Sequence, residues 1–153
     1  MDALARRLEL KRKINDGEPT VGLFIKIASA HVVEMLGSVG IDFVVLDAEH
    51  APFSIDTINN CIMAGRCASV EVLVRVSSLR STEIQAVLDM GAAGVVVPHI
   101  TCADDALNAV AAAKFFGGRR GFSTSHSEAD FGSMSMDSFR DYNDRSVIVI
   151  VQI

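Results

Sequence analysis

The stretch that decides the fold of this chain covers residues 41–52 and reads Ile41-Asp42-Phe43-Val44-Val45-Leu46-Asp47-Ala48-Glu49-His50-Ala51-Pro52. Its first part, residues 43–46, is apolar throughout, and the chain then turns abruptly polar at Asp47, Glu49 and His50. A short run that is apolar on both faces is typical of a strand buried inside a parallel sheet. Polar side chains directly after such a strand lie at the carboxyl end of the sheet, where the active sites of α/β folds are found. The stretch therefore predicts a parallel α/β fold and the edge of the sheet at which a site would form.

Strands and helices alternate along the rest of the sequence. Apolar runs predict parallel strands near residues 21–27, 42–47, 71–76, 94–98 and 146–152, with helices between them. There is no composition break or linker, so we predict a single domain over residues 1–153. Such alternation indicates right-handed crossover connections, which leaves a doubly wound open sheet or a (β/α)8 barrel. Five strands would make up about the first five of a barrel's eight, since a whole barrel typically takes about 250 residues.

Composition narrows the functional class. The 153 residues carry a net charge of −5, and the basic residues near the start alternate with leucines as in a solvated amphipathic helix. We therefore expect no nucleic-acid partner. No apolar stretch approaches the ~18 residues of a membrane span, and because no apolar run follows the first charged residues, we expect no secretory signal. The three cysteines lack CxxC spacing, so we expect reduced thiols, a cytoplasmic location and no membrane partner.

Three charged residues are candidates for a site. His50 follows the second predicted strand and Arg75 ends the third, so both are expected to face one cleft at the carboxyl rim. Arg75 could equally form a structural ion pair with a nearby carboxylate, because an unpaired buried guanidinium is costly. Asp89 lies near the end of a predicted helix, where the helix dipole disfavours a carboxylate. The other histidines (His31, His99 and His126) are isolated in the sequence and are interpreted as ordinary.

Several segments, taken in order, resemble one known family. They are Leu46-Asp47-Ala48-Glu49-His50-Ala51-Pro52, Val74-Arg75, Gln85-Ala86-Val87-Leu88-Asp89-Met90-Gly91-Ala92, Val97-Pro98, Arg120-Gly121 and Val151-Gln152-Ile153. Together they are similar to the HpcH/HpaI aldolases, metal-dependent class II pyruvate aldolases with a (β/α)8 TIM barrel. The resemblance implies reversible cleavage of a 4-hydroxy-2-oxo acid to pyruvate and an aldehyde, with Mg2+ or Mn2+ as cofactor. It also implies a small-molecule 2-oxo acid substrate and a homo-oligomer.

The resemblance assigns a role to each candidate. His50 would be the acid/base residue acting through a metal-bound water, and Arg75 would bind the pyruvate end and stabilise the enolate. Asp89 would raise the basicity of His50, and Gln152 would contact substrate. Near the end of its helix, however, Asp89 should lie towards the opposite rim from His50. Either that helix is shorter, or Asp89 reaches the site of a neighbouring subunit.

Two departures limit what the resemblance implies. The family's first metal carboxylate would come directly after Ile153 and its second on a later strand, so we expect no metal ligand in this chain. The loop after Arg120-Gly121 also lacks the Arg-Ala pair expected there. Two rival interpretations stay open: a catalytically inactive barrel fragment with a structural or interaction role, and a citrate-lyase-type acyl-CoA lyase. We expect the chain alone to be inactive.

Overall fold

The computed structural model describes residues 3–153, so Met1 and Asp2 of the predicted domain lie outside the described part. Its helices are α1 (Ala3–Asn15), α2 (Ala30–Ser38), α3 (Ile55–Ala68), α4 (Ser81–Asp89), α5 (Ala103–Ala113) and α6 (Met136–Ser146). Its strands are β1 (Gly22–Ile25), β2 (Phe43–Asp47), β3 (Glu71–Arg75), β4 (Gly94–Val97) and β5 (Ile148–Val151). One 3-10 helix covers Ser127–Gly132. Each predicted strand is present, with slightly narrower bounds. No helix in the described part combines the length and apolar character needed to cross a bilayer.

The five strands form one parallel sheet in the order β1-β2-β3-β4-β5, so every strand pairs with its neighbour along the chain. A doubly wound sheet reverses its strand order part-way, and this sheet does not, so the doubly wound topology is wrong for this chain. Consecutive parallel strands joined by helices are the arrangement of neighbouring staves in a TIM barrel.

Apolar side chains cover both faces of the sheet, as the unbroken apolar runs predicted. On the outer face, alternate residues of β2, β3 and β4 are fully buried against α2, α3, α4 and α5. On the inner face, Val45, Leu73, Val96 and Ile148 pack together with Leu10 of α1. Each such side chain stabilises the fold by about 1.5–3 kcal/mol when fully buried. The inner face is therefore closed by α1 below, while its carboxyl end stays free for polar groups.

The segment 119–135 is rich in glycine and serine, as a long polar loop would be. Its 3-10 helix nevertheless packs into a small core of Phe115, Ala129 and Phe139. The buried guanidinium of Arg7 in α1 pairs with the buried carboxylate of Glu128 and so ties this segment to the start of the chain. The segment is thus an ordered part of the fold, held by both apolar packing and a buried ion pair.

Candidate active site

The candidate site begins with two charged residues that end neighbouring strands. Asp47 and Arg75 are direct partners in the register of β2 and β3. Because side chains alternate between the faces of a strand, both lie on the inner face, one level above Val45 and Leu73. The sheet therefore brings a carboxylate and a guanidinium together at its carboxyl rim.

Arg75 binds Asp47 through two hydrogen bonds. Its Nε donates to Oδ1 over 3.0 Å and its Nη2 donates to Oδ2 over 2.7 Å. The side chain of Asp47 is fully buried and that of Arg75 is 14% exposed. Burial alone would raise the pKa of Asp47, but the hydrogen bonds from Arg75 and from the backbone N–H of His50 outweigh it and hold the pKa below its usual value. The ion pair that the sequence left as one alternative for Arg75 is thus formed.

The rest of the guanidinium faces three further groups. Its Nε also lies 3.3 Å from Oε2 of Glu49, and its carbon lies 5.2 Å from the ring centre of Phe24. Its Nη1 reaches Oε1 of Gln152 only over a long 3.4 Å contact. Arg75 is therefore held by the two carboxylates of Asp47 and Glu49. Its Nη1, next to Gln152, stays available to a ligand.

His50 lies at the same rim with its imidazole 60% exposed. Its backbone N–H donates to Oδ1 of Asp47 over 3.0 Å, which fixes the turn after β2. Its Nε2 lies 3.5 Å from Oε1 of Glu49, whose other oxygen faces Arg75. The structure thus places His50 and Arg75 on one rim, linked by Glu49, while their chemical roles remain predictions.

Two further residues lie at this rim that the sequence analysis did not identify as site residues. His99, isolated in the sequence, follows β4 and has its Nε2 only 2.8 Å from Oε1 of Glu49, so in the fold it is not isolated. Lys26 follows β1 and has its Nζ 3.6 Å from Oδ2 of Asp47. Both come shortly after the end of a strand, as His50 does. That position in the sequence could have identified them as rim residues.

Asp89 lies elsewhere in the described chain. It ends α4, which runs back along the sheet, so its carboxylate lies towards the amino edge of the strands. There Oδ1 accepts a hydrogen bond over 2.7 Å from the fully buried side chain of Arg120, and Gln85 reaches Oδ2 over 3.4 Å. The structure does not bring Asp89 to His50 within one chain, so the predicted role of Asp89 would require a neighbouring subunit.

The remaining histidines differ in their surroundings. His126 has its Nε2 3.6 Å from Oδ1 of Asp89 and its ring against Phe139, so it is not isolated either. His31 is 91% exposed on α2, beside Glu34, as expected of an ordinary surface residue.

Among the side chains that the structure describes, no group of three or more histidine, cysteine, aspartate or glutamate residues is placed to hold a metal ion. At this rim both carboxylate oxygens of Asp47 bind Arg75, and the two oxygens of Glu49 contact Arg75 and His99.

A family comparison fits this arrangement of strands and rim residues. The sequence model of the HpcH/HpaI aldolase/citrate lyase family matches residues 20–153. The chain belongs to this family. The matched region contains all five strands and every residue of the candidate site described above.

Individual relatives agree with this assignment. A 4-hydroxy-2-oxo-heptane-1,7-dioate aldolase of Salmonella dublin is 31% identical over 144 residues, which is 94% of this chain and 54% of that protein. An HpcH/HpaI aldolase/citrate lyase family protein of Burkholderia cenocepacia J2315 is 32% identical, with a TM-score of 0.87 over 95% of this chain and 59% of its own. The citrate synthase SbnG is 28% identical, with a TM-score of 0.82 over 95% of this chain and 56% of its own. The chain thus spans about half the length of the relatives it matches.

Proposed function

We propose that this chain is the amino-terminal part of a TIM-barrel lyase that cleaves a 4-hydroxy-2-oxo acid to pyruvate and an aldehyde. The observation that carries the proposal is the Arg75 guanidinium, held by Asp47 and Glu49 beside an exposed His50. Support for the substrate class comes from relatives named 4-hydroxy-2-oxo-heptane-1,7-dioate aldolase. We further propose a homo-oligomer that works in the cytoplasm.

Arg75 would bind the oxo-acid end of the substrate. A planar guanidinium can donate to a carboxylate and to a neighbouring oxygen at once, which a lysine ammonium cannot do with the same geometry. Because two carboxylates already hold Arg75, it need not reorganise when negative charge develops on the substrate. The guanidinium would thus stabilise the enolate oxygen more strongly than the ketone of the bound substrate.

His50 would move the proton that the cleavage releases. The neutral imidazole accepts the proton of the 4-hydroxyl group, the C3–C4 bond breaks, and its electron pair remains in the pyruvate enolate as the aldehyde leaves. The protonated His50 then returns this proton to C3 of the enolate, which gives pyruvate and restores the neutral imidazole. His50 suits this role because its ring is exposed at the rim while its backbone is fixed to Asp47.

A divalent cation, Mg2+ or Mn2+, would supply further electrophilic stabilisation of the enolate when bound. The described residues do not complete a site for it. We propose that its carboxylate ligands come after Ile153, and that Gln152 contacts substrate beside them.

The test is a pyruvate-release assay on a longer form of this protein that continues past Ile153, with 4-hydroxy-2-oxoheptanedioate as substrate. We expect cleavage that needs Mg2+ or Mn2+, is lost in the His50→Ala variant and is retained in the matched control His31→Ala. Cleavage of an acyl-CoA substrate in place of the oxo acid would favour the citrate-lyase alternative. Absence of cleavage from a folded, metal-loaded longer protein would favour the inactive-fragment alternative.

A further inference from the structure

We propose that His99 is a positioning residue of this site, which holds the Glu49 carboxylate in the orientation that faces Arg75. The contact itself does not depend on any reaction, and only its catalytic consequence rests on the proposed function. His99 would act through Glu49 and Arg75 and would not need to touch the substrate.

The first observation is that the two carboxylate oxygens of Glu49 contact different residues. Oε1 lies 2.8 Å from Nε2 of His99, whereas Oε2 lies 3.3 Å from Nε of Arg75. The Glu49 side chain is only 8% exposed, although that of His99 is 76% exposed. A buried carboxylate needs partners for both oxygens, and His99 is a closer partner of Oε1 than His50, which is 3.5 Å away. Without His99, the carboxylate could rotate away from Arg75.

The second observation is the backbone conformation of His99. Its φ angle is +59°, in the left-handed region that glycine adopts without steric cost and other residues rarely adopt. Ser69 has a similar φ of +61°, but it ends α3, where a left-handed residue is a common helix cap. His99 follows a strand and caps no helix, so capping does not explain its conformation. Unfavourable backbone conformations of this kind cluster at functional sites, where the side chain is needed in a particular place.

The third observation is that the surrounding backbone fixes this conformation. The N–H of Gln152 donates to the carbonyl of Val97 over 2.9 Å, and the N–H of Ile100 donates to the carbonyl of Gln152 over 3.0 Å. These two bonds bracket His99 between β4 and the end of β5. The segment that orients the imidazole is thus joined to Gln152, which itself contacts Arg75.

The experiment uses the 153-residue chain without substrate. The variant His99→Gly removes the imidazole and suits the left-handed backbone, whereas His99→Gln keeps an N–H donor. The control is Ser69→Gly, which replaces another left-handed residue by glycine at a position away from the rim. Nuclear magnetic resonance follows the carboxyl carbon of Glu49 and the Nε–H proton of Arg75. Hydrogen exchange measured by mass spectrometry follows the amides of Ala48 and His50 in any assembly state, because these amides bond to Arg75 and Asp47.

We expect His99→Gly to shift the Glu49 signal and to speed exchange at Ala48 and His50 by about tenfold, with an unchanged or higher Tm. His99→Gln should restore most of the wild-type values, and Ser69→Gly should change neither. Glu49 signals and exchange rates that stay at wild-type values in His99→Gly would overturn the proposal. So would a lowered Tm with faster exchange throughout β4 and β5, since that pattern marks a purely structural residue. If these readouts behave as expected and the longer protein cleaves no oxo acid, the proposed function fails while the role of His99 in positioning Glu49 stands.

Discussion

Replacing Arg75 by lysine tests how strongly the rim depends on the guanidinium. The wild-type side chain gives Asp47 two charge-assisted hydrogen bonds, of 3.0 Å and 2.7 Å, and Asp47 is fully buried. A lysine ammonium keeps the charge but cannot reproduce both bonds, so at least one is lost. A hydrogen bond to a charged group contributes about 1.5–3 kcal/mol, and we expect the free energy of unfolding to fall by about that amount.

The same substitution should also change how the free energy of unfolding depends on pH. The pKa of Asp47 is lowered in the folded protein, so its pairing stabilises the fold above the unfolded pKa of about 3.9, and this stabilisation is lost as pH falls through the lower folded value. In Arg75→Lys that pKa should lie closer to the unfolded value. The difference in stability between wild type and variant should therefore be complete at neutral pH and shrink below about pH 4.

The assay is urea unfolding of both proteins at pH 7 and at several lower values, with Arg119→Lys as a matched control because Arg119 is exposed. A loss of about 1.5–3 kcal/mol corresponds to a fall in Tm of roughly 3–12 °C for a chain of this size. Equal stabilities of wild type and Arg75→Lys at pH 7, or a difference that does not change with pH, would refute the argument from the buried pair.

Three further predictions follow from the same structure. In the longer, active protein, Arg75→Lys should lower kcat more than it raises KM, because the planar fork matters most for the enolate; an unchanged kcat with only KM raised would contradict the assigned role. The isolated chain should release no pyruvate with Mg2+ or Mn2+ and should aggregate or dimerise through the apolar edge of β5; sizing that gives a uniform monomer, or metal-dependent cleavage, would argue against this. Asp89→Asn should lower the free energy of unfolding by about 2 kcal/mol, because it leaves the buried guanidinium of Arg120 without its carboxylate. In urea unfolding the exposed-pair control Asp141→Asn should cost less than 1 kcal/mol, and equal losses in both variants would contradict the reasoning.

The sequence predicted the parts of the site that one strand determines by itself. The apolar run before Asp47 fixed β2, and a charged residue at the end of a buried run identified Arg75. These inferences held because burial on both faces leaves only the carboxyl ends of the strands for polar groups. The regular alternation of elements predicted parallel strands joined by helices, but it left the strand order open between a doubly wound sheet and a barrel.

The contacts that the sequence missed join distant segments. His99 contacts Glu49 across 50 positions of sequence and does so with a left-handed backbone, and its spacing in the sequence encodes neither feature. Arg120 reaches Asp89 from the segment 119–135, whose order depends on packing against Phe115 and Phe139. Sequence periodicity describes single elements, so contacts of this kind emerge only when the whole fold is assembled.

The consecutive strand order has a consequence for how the chain folds during synthesis. Each new strand pairs with the one just made, so the loops to be closed are short and their entropic cost is low. A nascent chain can therefore extend its sheet one strand at a time as it leaves the ribosome. The Arg7–Glu128 pair, in contrast, joins residues 121 positions apart and cannot form until the segment around Glu128 has been translated. Helix α1 can contact Glu71 and Gly91 earlier, but although it is made first, its set of contacts should be complete only after that segment has been translated.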